Sequence, residues 1–197
     1  MMDAPLAGTM QDARLIETEV LVPKPKRFVR EALVMPDGYE CDWYYVDTPP
    51  SVMIVPVTAD RHLVLVRQFR HNLKSYQLEF PAGTMHETED PEVAARRELE
   101  EETGFTPAEP GRMRPLGSFY SLPSETNKYT HVFLASPVEQ SGPARLDTEI
   151  EKYFDISVVL LPVQEAMDGI GTIITSMETV GALMAARAQL PDNLGCQ

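Results

Sequence analysis

The chain is poor in the residues that would place it in several large classes of protein. Its 197 residues include two cysteines, Cys41 and Cys196, too few for a disulfide framework and without a metal-ligand partner at useful spacing; a reducing compartment is the simpler reading. Lysine and arginine total 17 against 30 aspartates and glutamates, and a net charge of −13 argues against the basic surface that non-specific nucleic-acid binding needs. No apolar run reaches transmembrane length, and the first residues, MMDAPLAGTMQDARLIE, lack the basic start and apolar stretch of a signal peptide. The four histidines, His62, His71, His86 and His131, form no ligand cluster, and no internal repeat or low-complexity tract stands out. The expectation is a cytoplasmic protein that meets neither nucleic acid nor membrane.

What is present is 43% hydrophobic content, enough to bury the core of one ordinary domain with residues left for an accessory element. Residues 1–12 read as a disordered tail. Arg14 to Val22, Lys26 to Met35 and Glu40 to Val46 read as three strands, with Pro36-Asp37-Gly38 turning the second into the third. Ser51 to Thr58 is a further strand, and a hairpin through Ala59-Asp60-Arg61-His62 leads into Leu63 to Arg70. Near the other end, Ile156 to Leu161 reads as a strand stopped by Pro162, Val163 to Asp168 as a helix, and Met177 to Leu190 as a second helix with apolar spacing through Val180, Leu183, Met184 and Ala188. The methionines are expected to fill core.

The most informative stretch is GTMHETEDPEVAARRELEEETGF, from Gly83 to Phe105. Asp90 is a good N-cap, Pro91 suits the first turn, and Gly104 can close the helix in a left-handed conformation. A helix from Pro91 to Thr103 follows, with Val93, Ala94 and Leu99 as its core-facing positions. Carboxylates three and four residues apart share a face, so Glu98, Glu101 and Glu102 project into one small volume where their repulsion is costly unless a cation joins them. A hard divalent metal is the simplest such cation. Arg97, beside these acids, can hold a carboxylate in a bidentate pair and fix its rotamer. Glu89 reads either as a supporting acid or as an exposed one favoured by the helix dipole.

The full pattern is Gly83, five residues, Glu89, seven residues, then Arg97, Glu98, Leu99, any residue, Glu101, Glu102, any residue, Gly104 and Phe105. It resembles the signature of the Nudix hydrolases at every defined position. The resemblance implies an α/β/α sandwich with a mixed sheet and a loop, helix, loop unit holding Mg²⁺ or Mn²⁺. It also implies hydrolysis of a nucleoside diphosphate linked to another moiety. Glu98 and Glu102 become the principal metal ligands, Glu101 ligates or assists, the Ala82 carbonyl adds an oxygen, and Arg97 orients the helix acids.

The three early strands, and the runs Val64-Leu65-Val66-Arg67-Gln68-Phe69-Arg70 and Gln77-Leu78-Glu79-Phe80-Pro81-Ala82-Gly83, resemble the ADP-ribose pyrophosphatase branch, which cleaves nucleoside diphosphate sugars. That branch implies an N-terminal antiparallel β-sheet over residues 13–48 that makes a homodimer and lends residues to the partner's pocket, and a Nudix hydrolase domain over 49–197. It places a substrate-binding arginine at Arg70, with Arg67, Glu79 and Pro123 as further candidates. It also places a catalytic glutamate in a loop after the signature, where Glu151 is preferred and Glu149 is the alternative. The chain departs from the branch in one loop, reading Pro123-Ser124-Glu125-Thr126-Asn127 where Pro-Gly is usual. That loss of glycine changes how closely backbone approaches a ligand, so the diphosphate chemistry is expected with ADP-ribose itself in question. The alternatives are a Nudix hydrolase of nucleoside triphosphates, dinucleotides or coenzyme A, and a non-catalytic ligand sensor. The sensor is disfavoured because all four helix residues are intact.

Overall fold

A computed structural model describes residues 9–145, 153 and 155–190. Its strands are β1 (Arg14–Val22), β2 (Arg27–Val34), β3 (Glu40–Asp47), β4 (Ser51–Thr58), β5 (His62–Arg70), β6 (Ser75–Glu79), β7 (Ala82–Thr84), β8 (Phe105–Tyr120), β9 (Tyr129–Gln140) and β10 (Ser157–Pro162). Its helices are α1 (Pro91–Thr103), α2 (Val163–Asp168) and α3 (Met177–Ala186). Where an unstructured tail was expected through Asp12, Met10–Asp12 forms a single 3-10 turn, its acid bonded back to the Thr9 amide. The second long helix expected to reach Leu190 ends as α3 at Ala186 and tightens to a 3-10 turn over Arg187–Gln189. None of the described helices is long and apolar enough to cross a membrane.

The chain forms two compact units. The first comprises residues 1–49 and 120–129, built on the antiparallel sheet β1-β2-β3. Pairing runs Arg14 with Val34 and Val34 with Glu40, and Asp37 holds the intervening turn by accepting from the Tyr39 amide at 3.0 Å. Residues 120–129 are tied to the end of β3: Val46 and Thr126 form a bridge, the Thr48 amide donates to the Asn127 carboxamide oxygen at 2.8 Å, and the Asn127 amide donates to Asp47 at 2.7 Å. The loop that lacks the expected glycine is thus anchored by side chains. Among the described residues of this unit only Val29 is buried, and every position of β1 is exposed.

The second unit comprises residues 50–119 and 130–197. Its strands run in the order β10-β5-β4-β9-β8, with β6 beside β5 and β7 beside β4. β4 is parallel to β9 and antiparallel to β5 and β7, so the sheet is mixed. β4, buried at seven of its eight positions, is covered on both faces, which is why it reads as a continuous apolar run rather than an alternation. Val52, Ile54, Val64, Phe133 and Ala135 pack with Ala94, Ala95 and Leu99 of α1. The alternate residues Met53, Val55, Val57, Leu63, Leu65, Val132 and Leu134 pack with Ala166 of α2 and Ala182, Leu183 and Ala186 of α3. This alternation makes the α/β/α sandwich.

Two side-chain expectations fail. Val93 is exposed, and its place in the core is taken by Ala95: Ala94, Ala95, Glu98, Leu99 and Thr103 share the buried arc of α1, and Val93 falls outside it. The methionines divide, with Met53 and Met113 buried but Met177 and Met184 exposed. Leu99 is fully buried beneath the acidic helix. Leu99→Ala is expected to cost about 2–5 kcal/mol, read as a lowered urea midpoint with an unchanged slope; a cost under about 1 kcal/mol would mean that α1 is not fixed by this contact.

Candidate active site

The acidic helix begins and ends as its sequence dictates. Asp90 accepts from the Glu92 and Val93 amides at 2.9 and 3.2 Å, and Gly104 takes φ of 71° while its amide returns to the Glu100 carbonyl. The Gly104 position admits no side chain, since a Cβ there would lie 2.2 Å from the Gly142 carbonyl oxygen. The segment after β9 closes the helix end: Ser141 and Gly142 donate to the Gly104 carbonyl, and the Arg145 amide donates to the Glu101 carbonyl at 2.6 Å. Carbonyls that a helix leaves unpaired are thereby satisfied.

Arg97 gathers the acids. Its Nε and Nη2 donate to the two carboxylate oxygens of Glu89, each at 3.0 Å, and its Nη1 donates to Glu98 at 2.7 Å and Glu101 at 3.1 Å. Nη2 also reaches the Thr84 carbonyl at 3.3 Å. Glu89, whose second oxygen accepts from the His86 amide at 2.9 Å, is held down at about 2 chiefly by the arginine bonds and then by that amide. Glu98 behaves oppositely: burial pushes its carboxyl above the usual range, against the pull of Arg97. Its carboxylate occupies the space that a side chain at residue 83 would fill, a Cβ there lying 2.0 Å from its carboxyl carbon.

Glu102 is turned toward β7, where its Oε2 accepts from the Ala82 amide at 3.0 Å. The three acids expected to converge are therefore divided between two partners. Among the described residues no three His, Cys, Asp or Glu side chains are already gathered as they would be around an ion. Arg97 is the physical reason, because it draws Glu98 and Glu101 to itself. The donor set nevertheless fits a hard cation. Glu89, Glu98 and Glu101 are three carboxylates on one guanidinium, leaving two negative charges uncompensated, and the most buried of them is destabilised in its charged form.

The candidate substrate residues have partners of their own. Arg70 forms a bidentate pair with Glu79, Nε to Oε1 at 3.1 Å and Nη2 to Oε2, so two residues offered separately as substrate contacts meet each other. Arg67 stacks over Tyr76, 3.5 Å from the ring centroid, and lies 3.8 Å from Asp155, which accepts from the Tyr76 hydroxyl at 2.6 Å. Pro123 belongs to the first unit, where it lines a cavity of about 340 Å³ with Trp43, Tyr45, Tyr120, Thr126 and Asn127. This aromatic lining was missed in the sequence, although Trp43 and Tyr45 stand two apart on β3 and so share a face. Glu149 and Glu151 lie outside the described residues.

Acids gathered by an arginine on a helix that packs against the mixed sheet of an α/β/α sandwich supply the oxygen donors that suit a hard divalent cation. The chain belongs to the Nudix family of hydrolases: the NUDIX domain matches residues 47–173. It is 31% identical over 127 residues to an ADP-ribose pyrophosphatase of Bacillus subtilis, covering 64% of this chain and 67% of that one. It is 30% identical over 144 residues to a methanol dehydrogenase activator of Bacillus methanolicus, covering 72% and 76%. The crystal structure of an ADP compounds hydrolase shares the fold with a TM-score of 0.76 at 24% identity, covering 92% of this chain and 96% of that one.

The Glu89–Arg97 pair sets a pH dependence. A carboxyl held at about 2 in the fold and near 4.5 outside it contributes stability that is complete above 4.5 and is lost as the pH falls through 2. Glu89→Gln is expected to destabilise the protein by a constant amount above about pH 5 and by progressively less toward pH 2, measured by urea unfolding of both proteins; a difference that grows on acidification would contradict the pairing.

Proposed function

We propose that this protein hydrolyses the diphosphate bond of ADP-ribose or a related nucleoside diphosphate sugar in a reaction that depends on Mg²⁺ or Mn²⁺, releasing a nucleoside monophosphate and a sugar phosphate. The observation that carries this reading is the pairing of the intact signature with a buried Glu98 that shares Arg97 with two other acids. The chain's likeness to an ADP-ribose pyrophosphatase of Bacillus subtilis supports the same substrate class. Glu98 and Glu102 would hold the cation, with Glu101 and the Ala82 carbonyl completing the set. When bound, the cation supplies a lowered pKa for attacking water and charge neutralisation at the phosphoryl oxygens.

The residues of the chain do the rest. Arg97 holds Glu89, Glu98 and Glu101 in register and so acts on the reaction through them. Glu151, or Glu149, is the candidate to take the proton from the attacking water. Arg70 meets the diphosphate, where a guanidinium matches phosphate oxygens in a fork. Arg67, its face on Tyr76, is a lesser contact, and Pro123 a further candidate. The setting is read as reducing and cytoplasmic, with no nucleic-acid or membrane partner, and at a net charge of −13 an anionic substrate has to be recruited by the cation and local arginines.

The first unit is read as a homodimer surface. Leu15, Ile16, Val20, Leu21 and Val22 of β1 and Phe28 of β2 are all exposed, and a three-stranded sheet with one buried side chain lacks a core of its own. A second copy is the partner that the resemblance to the pyrophosphatase branch suggests. Sedimentation at micromolar concentration is expected to give a dimer, and conversion to monomer by Leu15→Glu with Val20→Glu; a wild-type monomer would defeat this part of the reading.

The chemistry is tested by screening the purified protein with Mg²⁺ against ADP-ribose, GDP-mannose, ADP-glucose, NADH, diadenosine polyphosphates and deoxynucleoside triphosphates, scored by released phosphomonoester. Turnover of a diphosphate sugar is expected. Glu102→Gln is expected to lower that turnover by about a hundredfold or more with the melting temperature retained and its rise on adding Mn²⁺ lost. Inactivity of the wild type on every diphosphate sugar would sink the substrate class, and near-normal activity of Glu102→Gln would sink the ligand assignment.

A further inference from the structure

We infer that Glu79 is a positioning residue that touches no substrate atom and instead fixes the direction in which Arg70 meets the diphosphate. This rests on the reading of Arg70 as the substrate arginine and adds to it a residue whose part is played through that arginine.

The geometry of the pair carries the inference. Arg70 is the last residue of β5 and its side chain is 43% exposed, whereas the Glu79 carboxylate, at the end of β6, is 18% exposed. The acid is the fixed end and the arginine the reaching end. Their two bonds run along one edge of the guanidinium, Nε and Nη2, and occupy two of its five donors. Three donors remain in the planar fork for a second anion, in an orientation that the carboxylate sets. An unheld arginine would have to lose most of its rotamer freedom on meeting substrate, and a pre-formed pair has removed that cost already.

The held orientation matters because other carboxylates compete. Glu102 and Glu178 also act on the Arg70 charge. Glu102 is a candidate metal ligand, so an arginine released from Glu79 would be drawn onto an acid that the cation needs. The same short segment serves both groups. Glu79 pairs with Arg70, Phe80 is buried in the core, the Ala82 amide holds Glu102, and Gly83 leaves room for the Glu98 carboxylate. Five consecutive residues thereby fix the spacing between the arginine for the phosphate and the acids for the cation.

The sign of the effect separates this role from its rivals. A carboxylate whose only influence were electrostatic would repel an anionic substrate, and its removal would tighten binding. A carboxylate that contacted substrate directly would be missed equally with or without Arg70. The test is steady-state kinetics on ADP-ribose, or on whichever nucleotide sugar the screen turns over fastest, for Glu79→Gln, Arg70→Ala and the double variant. Glu79→Gln is expected to raise KM about tenfold with kcat within about threefold of wild type, and to change KM by less than about twofold once Arg70 is alanine. Glu79→Asp, which keeps the charge on a shorter arm, is expected to fall between and supplies the reading if the glutamine variant fails to fold. An equal loss in both backgrounds, or a lowered KM, overturns the inference. An Arg70→Ala protein with unchanged KM overturns the reading of Arg70 itself and is recognised as that separate failure.

Discussion

The acidic helix depends on one guanidinium. Three carboxylates, Glu89, Glu98 and Glu101, converge on Arg97, whose bonds hold the Glu89 carboxyl well below the usual carboxylate range. Glu98 is in contact with the same arginine yet remains harder to ionise than a free carboxylate, because burial outweighs the pairing. A buried charge with half a partner is costly to keep. In the proposed reading, that cost is the counterpart of a cation site in a helix whose caps and core contacts are otherwise satisfied.

The scaffold around that place is built from small residues and backbone. Ala94 and Ala95 let α1 lie against Val52 and Ile54, which brings the helix near enough for a buried glutamate to meet Gly83 on β7. A larger residue at 83 would displace the carboxylate before it disturbed the fold, since the tip of a long side chain is what yields. At the other end the backbone of residues 141–145 fills the space that Gly104 leaves and answers the last carbonyls of the helix. The positions of Glu98 and Glu101 are thus held by two glycines and two alanines as much as by the acids themselves.

How much of this could be read in the sequence follows from which signals are local. The bounds of α1 were legible because Asp90, Pro91 and Gly104 act on their own neighbours, and β1, β2 and β3 because a Pro-Asp-Gly turn separates apolar runs. In β8, Pro107 and Pro115 argue against a strand, and they are tolerated because β8 is the last strand in the sheet order, where a missing amide costs little. Side-chain pairing was the least legible level. Glu79 stands in register with Val66, whereas Arg70 is opposite Ser75, so their meeting depends on the reach of two long side chains. The metal ligands were named from the signature, but the division of the acids between Arg97 and the Ala82 amide depends on rotamers that a signature does not carry.

The arginines explain why a divalent cation belongs in the proposed reading. A protein of net charge −13 that takes an anionic diphosphate must concentrate positive charge locally. Yet Arg97 is bound to Glu89, Glu98 and Glu101, Arg70 to Glu79, and Arg67 lies between Tyr76 and Asp155. Each is a directed donor whose charge an acid has already offset, suited to orienting phosphate oxygens and poorly suited to attracting them from solution. In the proposed reading, attraction would then fall to a cation held by Glu98 and Glu102, and orientation to the arginines. On that division of labour, loss of an arginine spoils alignment while loss of a carboxylate ligand removes the charge that brings the substrate in.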